Sequence, residues 1–161
     1  MLNAMKKIPT IFLQIVVLLI GMGVLAFMLW EPHIEGRNVN STFFQVYFND
    51  PFLVYAYTGS VSFFIALYQV FKTLAYIREN KAISQATARA LRTIKYCAAT
   101  IIGFVLPPVA YLFIVRPGDD IAGGVFIGLL IITISTIVTT TSAMLERIVQ
   151  DTLAAQQKSS K

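Results

Sequence analysis

One group of side chains in the chain has the composition of a metal site. His33 lies between Glu31 and Glu35, and imidazole and carboxylate groups are common ligands of divalent metals. The histidine is isolated in a polar segment and the spacing matches no known metal motif, so we expect it to be solvated. Cys97 is the single cysteine, which excludes an internal disulfide and a cysteine-based zinc site. We expect neither a metal, a cofactor nor a catalytic centre.

Hydroxyl groups are concentrated in the last apolar run of the chain. Thr133, Thr136 and Thr140 recur at helical spacing on one face, with Thr139 beside them. Such a face can line a path for a substrate or an ion. Alternatively, each hydroxyl bonds back to its own helix or across to a neighbour. No charged residue accompanies the hydroxyls, which favours the second interpretation.

Two consecutive prolines, Pro107 and Pro108, interrupt the third apolar run. Proline lacks the backbone N–H and clashes with the preceding turn, so we expect a kink or a break near Val105 and Leu106. A broken helix exposes carbonyl groups that can coordinate a cation, as in some transporters. No other run contains a matching break, so a structural kink is favoured.

The composition indicates what kind of element carries these residues. The 161 residues are 57% hydrophobic and 13% charged, with a mean hydropathy of +0.70. Four apolar runs occupy residues 9–30, 51–71, 96–115 and 121–145, and about 20 residues cross the roughly 30 Å of hydrocarbon as a helix. We therefore predict an all-α membrane protein with four transmembrane helices in a single integral membrane domain, 1–161. The first run is longer than a signal peptide's apolar region, and no cleavage pattern follows it, so we expect it to be retained.

The charges predict the orientation. Segments 1–8, 72–95 and 146–161 carry eleven of the 13 basic residues, whereas segments 31–50 and 116–120 carry only Arg37 and Arg116. The positive-inside rule places the first set in the cytoplasm, with both termini. The spans contain no charge except Lys72, which can extend to the cytoplasmic surface, so a proton-coupled pump with a membrane carboxylate is not expected.

The connections are also informative. Residues 116–120 predict a tight outer turn that joins the last two spans as a hairpin, and 31–50 is expected to lie on the outer surface or cap the protein. Ser84 is a plausible N-cap for a short cytoplasmic helix between spans two and three. The cytoplasmic tail, 146–161, continues helically with an apolar stripe as far as Leu153, and we expect disorder from Gln156 onward.

Small residues predict where helices approach one another closely. Gly124 and Gly128 in span four, and Ala99 and Gly103 in span three, are four residues apart and fit small-xxx-small packing. The pattern serves packing within one chain or between two copies. The tight turn at 116–120 favours packing within the chain, and a homo-oligomer remains the alternative.

The segment before the third span carries a resemblance. It reads Ile-Ser-x-x-Thr-x-Arg-x-Leu-Arg-x-Ile over residues 83–94. This resembles the signature of the YoaS-like family of small bacterial membrane proteins, catalogued as a domain of unknown function. The pattern is kept at four positions, Ser84, Leu91, Arg92 and Ile94, and differs at Ile83 and Thr87, where the family has Phe and Asn. The resemblance implies four spans and, from the helix-turn-helix regulators encoded beside some members, a regulatory role.

The polar and charged residues with a recognisable pattern are thus concentrated in the segments predicted to be cytoplasmic. We expect a non-enzymatic interaction protein of the bacterial cytoplasmic membrane, with the lipid bilayer and a cytoplasmic regulator as partners. The residues expected to contact that regulator are Arg89, Arg92, Ile148 and Leu153. The alternative function is a small transporter or channel component. Direct binding of nucleic acid is not expected, because the topology alone accounts for the basic segment 72–95.

Overall fold

The structure is a computed structural model that describes the backbone of residues 2–34, 51–115 and 122–159, and the side chains within 8–30, 54–114 and 122–159. Four long helices account for nearly all of these residues. They are α1 (Leu2–Ile34), α2 (Pro51–Arg78), α3 (Gln85–Val115) and α4 (Ala122–Ser159). The predictions for 35–50 and for the turn at 116–120 lie outside the described residues.

Each helix contains one predicted span, and all four are long and apolar enough to cross a membrane. Most of the large apolar side chains stay exposed on the protein surface, such as Ile114 at 79% and Phe126 at 66%. Water would disfavour a surface of this kind, whereas hydrocarbon accommodates it. The all-helical membrane architecture predicted from the sequence is therefore confirmed.

The helices extend beyond the hydrocarbon at one end of the molecule. We call this the basic end, and it comprises the helical residues of segments 2–8, 72–95 and 146–159. The 38 residues of α4 make it about 57 Å long at 1.5 Å per residue, almost twice the apolar thickness of a bilayer. A continuous helix therefore passes from the membrane into the basic end.

Two predictions about the basic end are corrected. A separate short helix between spans two and three is not supported, because α3 runs without interruption from Gln85 through the third span. No proline or glycine separates Gln85 from Tyr96, so nothing ends the helix at the membrane boundary. The prediction of disorder from Gln156 onward is also wrong for residues 156–159, which continue α4 to Ser159.

The described helices pack mainly as consecutive antiparallel pairs, α1 with α2, α2 with α3, and α3 with α4, and the last contact is the most extensive. Small residues permit the close approaches. A methyl group built on Gly21 would lie 2.7 Å from Leu67 of α2, and one built on Gly59 would touch Phe104 of α3. Gly124 lies against Leu112 of α3, and a methyl group on Gly128 would overlap Val109.

The expected pair Ala99 and Gly103 behaves differently. Both residues are exposed, and a methyl group built on Gly103 would meet no atom within 4 Å. In α3 the face packed against α4 instead contains the buried Ala98 and Val109. The two small-residue motifs therefore do not contact each other within the chain.

The space around the Cα atom differs between Gly128 and Gly103, so the same substitution should have different effects at the two positions. Gly128→Ala should lower the free energy of unfolding by about 1–3 kcal/mol, because the stiff Val109 side chain cannot move aside without strain. Gly103→Ala should cause no loss, since its methyl group enters open space and alanine favours the helix. Thermal unfolding in mild detergent measures both. The double variant Gly128→Ala with Val109→Ala should recover stability relative to Gly128→Ala, and equal melting of the two single variants would contradict this packing.

Candidate functional site

The connection between α2 and α3 is held by a defined hydrogen-bonded turn. Asn80 has a positive φ of 59°, a conformation that asparagine tolerates better than most residues. The amide of Lys81 donates to the carbonyl of Tyr76 at 2.8 Å, and that of Asn80 donates to Ile77 at 3.1 Å. This pair of bonds is the Schellman arrangement, which satisfies the last carbonyl groups of a helix. These hydrogen bonds therefore fix the residue at which α2 ends.

Ser84 caps the N-terminus of α3, as predicted. Its hydroxyl oxygen accepts a hydrogen bond from the backbone amide of Thr87 at 3.2 Å, the geometry of a helix N-cap. The hydroxyl of Thr87 donates to the carbonyl of Lys81 at 3.0 Å and lies 3.0 Å from the Ser84 hydroxyl. Thr87 thereby ties the turn to the first turn of α3, and it is itself buried.

The best-buried apolar cluster of the described residues follows directly after this cap. Its members are Ala88, Ala90, Leu91, Ile94 and Ala98, each between 2% and 6% exposed. Their spacing follows the turns of α3 and places them toward α2 and α4. Two members, Leu91 and Ile94, belong to the short motif noted in the sequence, so this motif forms helix packing.

A carboxylate on α4 is buried against this part of α3. Glu146 is 5% exposed. One of its oxygens accepts a hydrogen bond from Nε of Arg92, and the other accepts one from Nζ of Lys95, each at 2.7 Å. The amide of Gln150, one turn further along α4, donates to the first oxygen at 3.3 Å. A buried carboxylate is tolerated when cations and hydrogen bonds satisfy both of its oxygens, and Glu146 meets this requirement.

The two cations change the titration of the carboxyl group. The hydrogen bond from Lys95, followed by that from Arg92, holds the pKa of Glu146 below its ordinary value, and burial opposes this shift only in part. The same contact raises the pKa of Arg92. Glu146 is therefore ionised in the folded protein at neutral pH, and it serves as an ion-pair partner instead of a proton donor.

A second polar contact joins α1 to the basic end. Gln14 is 5% exposed although it lies within the first apolar run. Its amide nitrogen donates to the carbonyl of Phe71 at 3.3 Å, and its oxygen accepts from Nη1 of Arg78 at the same distance. This contact links α1 to two positions of α2 that are about two turns apart.

The four residues expected to contact a partner occupy different environments. Arg92 binds Glu146 within the chain, whereas Arg89 is exposed and its Nε lies 3.4 Å from the carbonyl of Gln85 in its own helix. Ile148 is 49% exposed, and Leu153 is partly buried. Leu153 follows Glu146 by seven residues and shares its side of α4, whereas Ile148 lies about 200° around the helix. The apolar residues of the tail therefore lie on two sides of α4, with Leu153 on the side that contacts α3 and Ile148 on the exposed side.

Four threonine hydroxyl groups of span four form hydrogen bonds within their own helix. Thr133, Thr136, Thr139 and Thr140 each donate to the carbonyl four residues earlier, at 2.8–2.9 Å. Thr133, Thr136 and Thr140 are exposed on the outside of the protein, so they do not form an internal lining. Of the two interpretations of these threonines, back-bonding is the one observed.

The prolines do not break α3, which continues through Pro107 and Pro108 to Val115. A kink without a break stays a prediction. Pro108 has no N–H to offer the carbonyl of Phe104 four residues earlier. The hydroxyl of Tyr55, on α2, donates to this carbonyl at 2.8 Å, and the rings of Tyr55 and Phe104 pack with centroids 5.2 Å apart. The freed carbonyl is therefore satisfied by a neighbouring helix, as lipid-embedded proline requires.

Three important side chains were missed from the sequence. Glu146 was regarded only as one of the charges of the tail, and no contact was predicted for Gln14 or Tyr55. A partial signal existed for the first, because a carboxylate directly after a long apolar run must have cations nearby to be retained. No group of three or more potential metal ligands occurs among the described residues, and the side chains of Glu31, His33 and Glu35 lie outside them.

Removing the carboxylate should identify its contribution to stability. Glu146→Gln should lower the melting temperature by several degrees, because Arg92 and Lys95 lose their charged partner. Asp151→Asn, at an exposed carboxylate further along α4, is the matched control and should melt like the unaltered protein.

The dependence on pH has a defined sign. The lowered pKa of Glu146 means that its ion pairs stabilise the fold fully above the unfolded pKa of about 4.3, and that this stability is lost as the pH falls through the lower folded value. Melting between pH 7 and pH 3 should therefore fall more steeply for the unaltered protein than for Glu146→Gln. Parallel curves for the two proteins would contradict the assignment.

Comparison with known proteins shows which family and which membrane protein the chain is similar to. Residues 42–158 match the family described as "Protein of unknown function (DUF2975)", a range that includes α2, α3 and nearly all of α4. The uncharacterized membrane protein YoaS of Bacillus subtilis (strain 168) is 35% identical over 150 residues, which cover 92% of this chain and 94% of YoaS. No solved structure matches. The resemblance seen in the motif of residues 83–94 is thereby confirmed, and the chain belongs to the DUF2975 family of membrane proteins.

Proposed function

We propose that the chain is a non-enzymatic interaction protein of the bacterial cytoplasmic membrane, whose basic end lies in the cytoplasm and presents a surface to a cytosolic partner, a regulator in the simplest case. One observation carries this proposal. The continuous helices α3 and α4 extend past the hydrocarbon as a packed pair, held by the buried Glu146 and its two cations. A purely membrane-embedded protein has no need for such an extension.

The orientation rests on the distribution of charge and on the aromatic side chains. Eleven of the 13 basic residues belong to segments 1–8, 72–95 and 146–161, which contain the basic end and which the positive-inside rule assigns to the cytoplasm. Nζ of Lys72 lies 5.3 Å from the ring centre of Tyr68, and Nζ of Lys95 lies 5.1 Å from that of Tyr96. Tyrosine and lysine pairs of this kind are typical of the boundary between hydrocarbon and water.

The outward face of α4 supplies the surface for the partner. Met144 and Ile148 are two residues before and after Glu146, so they lie on the side of α4 opposite to α3. They are 65% and 49% exposed, and the exposed Arg147 and Asp151 border them. An amphipathic helix of a partner can bury such a face, and its charges can complement the border.

Transport is the weaker proposal. The threonines that could line a path in span four donate to their own helix and face outward, and the carbonyl freed by Pro108 is taken by Tyr55. These threonine hydroxyl groups and the Phe104 carbonyl therefore already have hydrogen-bond partners within the described residues.

Cysteine labelling tests the orientation. In a Cys97→Ser background, Lys81→Cys should react with a membrane-impermeant maleimide only after the cytoplasmic face is exposed, because the Lys81 side chain is exposed at the basic end. Cysteines at positions 40 and 118 should react in intact cells. Labelling of position 81 from outside would reverse the topology.

Photo-cross-linking tests the partner surface. A photoreactive amino acid at position 148 should yield an adduct with one cytosolic protein in cells, whereas the same group at position 137 should react with lipid alone. Ile137 is the matched control, because it lies on the same face of α4 three turns earlier and is similarly exposed. Deleting the tail is less informative, since deletion also removes Glu146.

The replacement Ile148→Asp should abolish recovery of that protein with little change in the melting temperature, because the side chain is 49% exposed on the side of α4 opposite to Glu146. Equal adducts at positions 137 and 148, or recovery that survives Ile148→Asp, would count against this surface.

A further inference from the structure

One face of α3 is covered neither by α2 nor by α4. Its exposed residues recur every three or four positions along about four turns of the helix. We call it the open face, and it consists of Arg89, Arg92, Tyr96, Ala99, Thr100 and Gly103. The basic residues lie at the end outside the hydrocarbon and the small residues lie within it, so the face changes from polar to apolar along its length.

The polar end carries a net positive charge. Arg89 and Arg92 are three residues apart and therefore neighbours on the helix surface. Arg92 uses Nε to bind Glu146, but 52% of its side chain stays exposed, so its terminal amino groups can bind another anion. Arg89, Arg92 and Lys95 together outweigh the single carboxylate of Glu146 by two charges. The guanidinium group binds phosphate through paired N–H donors.

Tyr96 marks the depth at which the open face enters the bilayer. The residue is 62% exposed and its ring lies beside the ammonium group of Lys95. On α2, Tyr68 is 59% exposed and pairs in the same way with Lys72. Both pairs belong at the level of the lipid headgroups, because tyrosine rings and lysine ammonium groups favour this region.

Beyond Tyr96 the open face leads to a shallow groove of about 330 Å³, which is lined by Tyr55, Thr100, Gly103 and Phe104. The floor at Gly103 is free of contacts, since a methyl group there would meet nothing within 4 Å. Gly103 follows Tyr96 by seven residues, about 10 Å along the helix, which is within one leaflet of roughly 15 Å. An acyl chain whose headgroup lies at Arg89 and Arg92 can therefore reach the groove.

We propose that the open face is a binding site for one anionic phospholipid of the cytoplasmic leaflet. Its phosphate is held by Arg89 and Arg92, its glycerol region lies beside Tyr96, and one acyl chain occupies the groove at Thr100 and Gly103. A second copy of this chain fits less well, because a symmetric contact through the open face would bring Arg89 and Arg92 of both copies together. Ala99 and Gly103 are both exposed among the described residues, and an acyl chain of the lipid is the partner of this small-residue pair.

Native mass spectrometry of the full-length protein in mild detergent tests the site, with phosphatidylglycerol and the zwitterionic phosphatidylcholine as probes. The unaltered protein should retain one phosphatidylglycerol in preference to phosphatidylcholine. Arg89→Gln with Arg92→Gln should weaken its binding about ten- to thirty-fold, as expected for two basic contacts. Arg147→Gln, at an exposed arginine on α4, is the control for charge and should bind normally.

A larger side chain in the groove tests whether an acyl chain binds there, and it alters no charge. Gly103→Leu should weaken binding of phosphatidylglycerol several-fold. Gly123→Leu is the matched control, because Gly123 is also exposed and a methyl group there meets nothing within 4 Å. Melting temperatures establish that each variant is folded. If loss of the Arg92 contact to Glu146 destabilises the double arginine variant, Gly103→Leu still tests the site, because it leaves this ion pair intact.

Three results would overturn the proposal. The first is equal retention of the two lipids, and the second is an equal loss of binding in Arg147→Gln and the double arginine variant. The third is a dimer that carries no lipid and is lost in Gly103→Leu, which would assign the groove to a second copy. The partner surface at Ile148 lies on another helix, so cross-linking at position 148 should be unchanged in Gly103→Leu whichever result is obtained.

Discussion

Hydrocarbon offers no hydrogen-bond partner, and this constraint explains the polar contacts within the apolar spans. The hydroxyl groups of Thr136 and Thr140 donate to carbonyl groups of their own helix, and that of Tyr57 donates to the carbonyl of Met28 on the neighbouring helix. The carbonyl of Phe104, deprived of its usual donor by Pro108, receives one from Tyr55. Polar residues that could have served transport are thus used to satisfy the backbone and one another.

Where the helices leave the hydrocarbon, the requirements change. An ionised carboxylate costs less free energy there, because water and long cationic side chains can reach it. The buried Glu146 lies at this level between Arg92 and Lys95. The turn after α2 and the Ser84 cap fix where α3 begins, so its buried face meets α4 in one register. The result is a packed helical extension whose outer faces differ, one basic and one apolar.

The sequence predicted the elements well but not their partners. Apolar runs of 20 or more residues identified four helices, and Ser84 was recognised as a cap because hydroxyl side chains satisfy free amides. The prediction of a separate helix before span three was wrong, although no proline or glycine lies between Gln85 and Tyr96 to end a helix. The prediction of disorder was wrong for residues 156–159, because their polar side chains carry no apolar stripe that would indicate a continuing helix. The contact of Arg92 with Glu146 was not predicted, because local patterns do not reveal a partner that is 54 residues away along the chain.

By itself, the sequence determined that the chain is helical, that it has four segments long and apolar enough to cross a membrane, and that its positive charge is concentrated in segments 1–8, 72–95 and 146–161. These properties follow from composition and length, which any arrangement of the helices would share. Only the tertiary structure decided that Gly128 packs against Val109 while Gly103 stays open, that Glu146 is buried, and that Tyr55 replaces the donor missing at Pro108. Each of these depends on which faces of distant helices meet, and periodicity within one helix cannot specify the face of another.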